Sequence, residues 1–396
     1  MFFCKIKIHL VFFVIEFVKK VIKYTFLLAY FQQTFHIFTD MNNKYIYSIG
    51  LMSGTSLDGL DIVYVKFNKN DYSKFEIILS DTFQYSELWE DRLRNSIHSD
   101  AKLLSTLNHD YGLFLGEITQ EFISKHKIIA LDFIASHGHT VFHQPDQGIT
   151  LQVGDGQQIY NITNCTTVSD FRTQDVRLGG QGAPLVPIGD RILFSEYEAC
   201  VNLGGFANIS YEHRDERIAF DICPVNIVLN YYSKKIGLDY DDKGIIASKG
   251  TIDKELLEDL NVLDYYSNIP PKSLGLEWVY KHIYPLLNDY NLGVEDILRT
   301  FIEHTAQQIS IIIRDFDTVL FTGGGVYNDF LIERIQFHST TQIIIPSDEI
   351  INYKEALIFS LLGLLKINDK INCLSSVTGA KINHSSGKIF NQNILG

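Results

Sequence analysis

Met52-Ser-Gly-Thr-Ser-Leu-Asp-Gly59 lies between two apolar, β-branched runs, Tyr45 to Leu51 and Leu60 to Phe67. Such runs around a short turn of small and hydroxyl residues predict a strand, a tight turn and a returning strand. The Gly54 to Gly59 spacing also matches the start of a Walker A loop. That loop needs a Lys and a helix next, whereas Leu60-Asp61 open a strand here. What remains is a hairpin turn, either a plain one or one whose backbone N–H groups converge on an anion. Glycine permits the positive φ and close approach that the second reading needs.

A third strand over Phe75 to Phe83 completes a meander. Leu104, Leu107, Tyr111, Phe114, Leu115, Ile118 and Phe122 then recur at three- and four-residue steps, which predicts a helix. Short strands are expected near Phe133 to Ser136, Thr150 to Val153 and Thr166 to Val168. Cys200 to Ser210 repeats the strand, turn, strand device around Gly204, Gly205 and Asn208, and a strand ending at Asp221 follows. Helices are expected at Ile227 to Lys235, Lys254 to Leu260, Val294 to Ile313, from Asn328 and at Tyr353 to Leu365, with strands at Thr318 to Thr322 and Gln342 to Ile345. The repeated order predicts an α/β protein of two related lobes with a cleft between them. A short helix around Leu185 to Phe194 marks the boundary. The expected units are an N-terminal lobe over 41–190, a C-terminal lobe over 191–350, and a C-terminal helix and tail over 351–396.

A third glycine loop, Gly323-Gly324-Gly325 with Asn328 after it, joins a strand to a helix. Three such loops suit a nucleotide, with two hairpins on the phosphates and the third against the adenosine.

The 396 residues carry 34 Lys and Arg against 47 Asp and Glu, a net charge of −13, with no basic stripe. That balance argues against a nucleic-acid partner. Cys4, Cys165, Cys200, Cys223 and Cys373 are too dispersed for a disulfide framework or a CxxC metal site and suit a reducing cytoplasm. Residues 1–40 differ from the rest, with Lys5, Lys7, Lys19, Lys20 and Lys23 against Glu16 and Asp40. Their apolar runs are too short for a membrane span and lack a cleavage site. They read as the product of an upstream start codon ahead of Met41, as an interfacial anchor or as a degraded signal.

Gly50-Leu-Met-Ser-Gly-Thr-Ser-Leu-Asp-Gly-Leu-Asp61 resembles the opening signature of the anhydro-N-acetylmuramic acid kinases. The resemblance continues through Ser136-His-Gly-His-Thr-Val-Phe-His143, Leu151 to Gly156, Asp170-Phe-Arg-Thr-Gln-Asp-Val176, Gly179 to Leu185, Pro271 to Gly275 and Val377 to Ala380. It implies the actin-like and sugar-kinase fold, a duplicated ribonuclease H-like architecture. It also implies a reaction in which ATP and water open the 1,6-anhydro bridge of anhydro-N-acetylmuramic acid and phosphorylate the freed O6. The phosphate and ATP contacts it implies are Gly54, Thr55, Ser56, Leu57, Asp58, Gly59, Leu60, Asp61, Gly204, Gly205, Asn208, Gly323, Gly324, Gly325 and Asn328. A homodimer is implied as well.

Opening the bridge requires a base that takes a proton from water, and the resemblance puts that role on Asp175. Read alone, Asp175 is a solvated loop acid. Arg172 suits a phosphate, the lactyl carboxylate of the sugar or a structural ion pair. Resemblance makes His137, Arg172 and Glu303 sugar contacts, while Asp58 and Asp61 are expected to hold Mg2+ through water. Two other classes stay open. His137, His139 and His143 form H-x-H-x-x-x-H, a pattern a metal-dependent hydrolase would use, and a non-catalytic ATP-gated protein would share the fold. Three departures from the family pattern stand out: Cys223 and Val225 at usual glycines, His139 at a usual Gln, and Gly189-Asp190 at a usual Phe-His.

Overall fold

The structure, a computed structural model, describes residues 44–54 and 56–392. The readings of residues 1–40, of a start at Met41 and of Thr55 lie outside the described residues. β1 (Tyr45–Ser53), β2 (Leu60–Asn68) and β3 (Asp71–Phe83) form the expected antiparallel meander. Helix α1 (Ala101–His126) leads to β4 (Phe133–Ser136), which pairs in parallel with β1. β5 (His139–Gln144) and β6 (Ile149–Val153) make a separate two-stranded ribbon, so the strand expected at Thr150 lies outside the main sheet. Gly138, at φ +73°, sits where any Cβ would strike the Val153 carbonyl and lets the ribbon fold back. After α2 (Gly156–Thr163), β7 (Thr167–Ser169) pairs in parallel with β4.

Helices α3 (Thr173–Arg177) and α4 (Val186–Leu193) lead into the second sheet. There β8 (Ala199–Leu203), β9 (Phe206–His213) and β10 (Glu216–Pro224) repeat the meander. Past α5 (Asn226–Lys234) and α6 (Val294–Ile313), β11 (Thr318–Thr322) pairs in parallel with β8. α7 (Asp329–His338) then brings β12 (Gln342–Ile344) alongside β11, again in parallel. The orders β3-β2-β1-β4-β7 and β10-β9-β8-β11-β12 match strand for strand in position and direction.

The last long helix, α8 (Asp348–Ile367), returns to the first sheet and is buried on most sides from Ala356 to Leu365. Small residues one to two turns apart let it approach closely. Gly50 of β1 faces the Ala356 backbone with no room for a Cβ, Gly363 faces Ala135 and Phe133, and the Ser360 and Ser48 hydroxyls share a 2.6 Å hydrogen bond. β13 (Lys388–Phe390) then adds to β7, so the chain ends on the sheet where it began.

At the seam between the sheets, Lys354 Nζ of α8 lies 2.8 Å from Asp190 Oδ1 and donates to Thr322 Oγ1 at 3.2 Å. Ser210 Oγ donates to the other Asp190 oxygen at 2.6 Å. The departures at 189 and 190 thus have structural roles. Gly189 makes room for the Ile358 side chain, and Asp190 neutralises a buried lysine. Among the described residues, no helix is long and apolar enough to cross a membrane.

Candidate active site

In the first turn Leu57 adopts φ +61°, and Ser56 Oγ donates to Asp58 Oδ1 at 2.8 Å. Gly59 (φ +147°) fits only without a Cβ, because the Phe83 carbonyl and the Thr82 methyl occupy that space at 2.8 Å. Leu57 and Leu60, expected among the phosphate contacts, turn their side chains into the apolar core, so only their backbone can meet a ligand. Asp61 Oδ1 accepts from Thr82 Oγ1 at 2.7 Å. Burial pushes its carboxyl up to about 6 against the pull of that hydrogen bond, and the negative charges of Asp58 and Glu355 add to the rise.

Glu355 is the residue that sequence reasoning missed. Its own carboxyl is pushed up by the protein around it, although it keeps an exposed face. Arg172 and Lys354 oppose the push and Asp58 reinforces it. Asp58, Asp61 and Glu355 are therefore electrostatic neighbours, and Glu355 links them to Arg172. The signal in the sequence was the pair Lys354-Glu355, charged residues inside an otherwise apolar helix.

Arg172 is held from two sides. Its Nε donates to His137 Nε2 at 3.0 Å, and a terminal nitrogen donates to the Gly182 carbonyl at 2.7 Å. His137 Nδ1–H in turn donates to the Gly138 carbonyl at 2.9 Å, so its ring is neutral with one defined tautomer. Burial and the Arg172 charge both hold its pKa well below the usual histidine range. The three histidines of the H-x-H-x-x-x-H pattern go to separate partners, with His139 Nδ1 3.1 Å from Ser53 Oγ and His143 Nδ1 3.3 Å from Thr150 Oγ1. With a guanidinium on the His137 lone pair, the set does not converge on a metal, and the hydrolase reading is not favoured.

Asp175 is fully buried, which corrects its reading as a solvated loop acid. Oδ2 accepts from Gly182 N at 2.7 Å, and Oδ1 accepts from Thr378 Oγ1 at 2.7 Å and from Cys373 Sγ at 3.1 Å. Gly180 packs directly over the carboxylate, where a Cβ would collide. The tail from Cys373 to His384 is thus part of the site, which the sequence reading had not included.

The second turn and the third glycine loop meet. Gly325 and Gly323 lie against Leu203 of β8, where added Cβ atoms would fall 2.7 Å from the Leu203 Cβ and 2.8 Å from its carbonyl oxygen, respectively. Val225 N donates to the Gly205 carbonyl at 2.8 Å and Asn226 N to that of Gly204 at 3.3 Å. Cys223 and Val225 are buried in the core of the second lobe, so their side chains point away from this junction. Asn208 lies on β9 opposite Asn202 and Asp221. Asn328, expected at the nucleotide, caps α7, its Oδ1 accepting from Leu331 N at 2.9 Å. Glu303 is buried among cations. Arg299, Arg334 and His338 take its oxygens at 2.6–2.9 Å, and these partners pull its carboxyl down to about 2 despite burial.

Two sheets that share one five-strand order, each opening with a glycine-bearing hairpin, define a two-lobed α/β protein of the actin-like and sugar-kinase fold. The family model for anhydro-N-acetylmuramic acid kinase matches residues 46–392. The anhydro-N-acetylmuramic acid kinase of Clostridioides difficile (strain 630) is 35% identical over 368 residues, covering 85% of this chain and 96% of that protein. The enzyme of the same name from Francisella tularensis subsp. novicida (strain U112) is 33% identical, covering 88% and 99%. Among solved structures, the activator of the 2-hydroxyisocaproyl-CoA dehydratase from Clostridium difficile with bound ADPNP aligns at a TM-score of 0.40 and 14% identity, covering 80% of this chain and 93% of that one. A xylulose kinase from Lactobacillus acidophilus gives 0.37 and 11%, covering 88% and 94%. The chain belongs to the anhydro-N-acetylmuramic acid kinase family.

Proposed function

We propose that this enzyme uses ATP and water to open the 1,6-anhydro ring of 1,6-anhydro-N-acetylmuramic acid and to phosphorylate O6, giving N-acetylmuramic acid 6-phosphate and ADP. The observation that supports it most is the grouping of Arg172, Asp175 and the first glycine turn at one cleft of a family member. Asp175 takes the proton of the attacking water while the departing O6 captures the γ-phosphoryl group. Three neutral donors hold the carboxylate in orientation and leave it a free lone pair on Oδ2. Because the acid is covered, sugar binding must shift the Gly179 to Gly182 turn or the tail to admit water. Arg172, fixed by a neutral His137, places positive charge beside the reacting groups.

The Gly54 to Gly59 turn lies under the phosphates, and the Gly204, Gly205 and Gly323 to Gly325 backbone supports the rest of the nucleotide. Asp58, Asp61 and Glu355 offer carboxylate oxygens around this turn, and burial, with the charges of Asp58 and Glu355, raises the Asp61 carboxyl to about 6, so a hard divalent cation held through water suits these residues. Mg2+ held there would supply positive charge to offset that of the phosphates. Glu303 can contact the sugar only by giving up one of its cations. A cytoplasmic location and a homodimer are part of the reading, checked by fractionation and by sedimentation.

The test is ADP release by the full chain with ATP and Mg2+, with and without the anhydro sugar. Sugar-dependent release is expected. Equal release without sugar overturns the reading in favour of an ATP-gated protein.

A further inference from the structure

The cover over Asp175 has an arrangement that proton transfer does not explain. Cys373 and His384 are bridged as an antiparallel pair, each N–H donating to the other's carbonyl at 3.1 Å, and both side chains reach Asp175. Cys373 Sγ lies 3.1 Å and His384 Nε2 3.6 Å from Asp175 Oδ1, and the three atoms all fall within 4.8 Å of one another. The three residues are 1%, 7% and 0% exposed.

His384 Nδ1 lies 3.1 Å from the Ile382 carbonyl, which can only accept, so Nδ1 carries a proton, and with Nε2 deprotonated, as metal binding requires, the ring presents a lone pair there. That atom is buried without a hydrogen-bond partner among the described residues and faces a carboxylate oxygen. Sulfur, carboxylate oxygen and imidazole nitrogen thus converge where a cation would satisfy all three. Ligand atoms at tetrahedral positions around zinc are separated by about 3.3–3.7 Å, given bonds of roughly 2.0–2.3 Å. The surrounding bonds match those that orient metal ligands: the second His384 nitrogen donates to a backbone carbonyl, and the free Asp175 oxygen accepts from Gly182 N.

We propose that Asp175 Oδ1, Cys373 Sγ and His384 Nε2 form a binding site for one borderline-soft divalent cation of the Zn2+ type, and that its occupation stops turnover. The mixed sulfur, nitrogen and oxygen set selects such an ion over Mg2+, which favours oxygen alone. Binding forms the zinc–sulfur bond and releases the thiol proton to solvent. The bound ion draws charge from the carboxylate through Oδ1, which lowers the basicity of Oδ2, and holds the tail closed over the base. The inhibitory half rests on Asp175 being the base; the binding half does not.

The test uses the full chain without a metal-binding tag, stripped of metal and then titrated with Zn2+ and, for spectroscopy, with Co2+. One equivalent of Zn2+ per chain is expected, with proton release, and Co2+ should give a thiolate-to-cobalt charge-transfer band. C373S should abolish the band, while C165S, which alters the half-buried cysteine elsewhere, should keep it. H384Q should weaken metal binding at least ~10-fold, with melting curves confirming that each variant is folded. Preloaded and desalted enzyme should be inactive until a chelator is added. A wild-type chain that binds no stoichiometric Zn2+ and gives no band overturns the site, as does a band that survives C373S. Binding without inhibition overturns the inhibitory half, and metal-free D175N then tests the base assignment separately.

Discussion

Asp61 in the first lobe and Glu303 in the second are both carboxylates enclosed by protein, yet their environments push them in opposite directions. Glu303 has two arginines and a histidine on its oxygens and falls to about 2 despite burial. Asp61 is raised to about 6 chiefly by burial, with one hydroxyl partner opposing and two acidic neighbours adding to the rise. On the proposed function, the contrast separates an acid that holds the fold from one available to a ligand. Glu303 clamps α6 to α7, whereas Asp61, beside the first glycine turn, is bonded to the Thr82 hydroxyl. Asp175 is a third case, ordered by neutral donors alone.

The largest effect is expected where the acid acts chemically. D175N should lower kcat by about 10²–10⁴ while leaving ATP binding nearly unchanged; single-turnover rates and nucleotide titration check this, and near-normal turnover refutes the base role. Next comes the acid that only holds. E303Q leaves buried cations unpaired and should destabilise by about 3–5 kcal/mol in urea unfolding. Its contribution is fully present above the usual carboxylate value and disappears as pH falls from about 4.5 toward 2, so the variant should show a flatter acid limb. A raised KM for the sugar with unchanged stability would instead make Glu303 a sugar contact.

A third comparison sets the glycines of the two lobes side by side. Gly325 has no room for a methyl group against Leu203, whereas Gly54 meets only the Ser56 hydroxyl at 3.1 Å. G325A should therefore cost about 1–3 kcal/mol and weaken ATP binding, while G54A should stay near wild-type stability. The smallest effect carries the opposite sign. Asp61 is raised above the usual 3.8, so its charge costs stability as pH rises through about 6. D61N should be more stable than wild type at pH 7 by about 1–2 kcal/mol, with no gain at pH 3.5, and should need more Mg2+ for turnover. A loss of stability at pH 7 would break the contrast with Glu303.

Much of this scaffold was legible in local pattern. Alternating runs around Gly54 and Gly204 announced both meanders, and the three-four spacing from Leu104 to Phe122 announced α1. The strand expected at Thr150 is present, and its pairing with β5 in a separate ribbon was not legible because a strand pattern does not name its partner. The cap that Asn328 makes on α7 went unread because a capping side chain and a ligand contact look alike in one dimension. Glu355, Cys373 and His384 went unread as site residues because nothing near them in the chain resembles a site; α8 and the tail carry them back to the first lobe.

By itself the sequence determined two duplicated α/β halves, three glycine turns and the Arg172 to Gly182 segment, because periodicity, turn chemistry and motif spacing are properties of neighbouring residues. Only the tertiary structure decided which acids are paired. Burial and charge neighbours come largely from other elements, as when Thr378 reaches Asp175 across 203 residues of chain or Arg334 and Arg299 close on Glu303 from two helices. A carboxylate's work depends on the cations and donors within a few ångströms of it, and chain order does not record those distances.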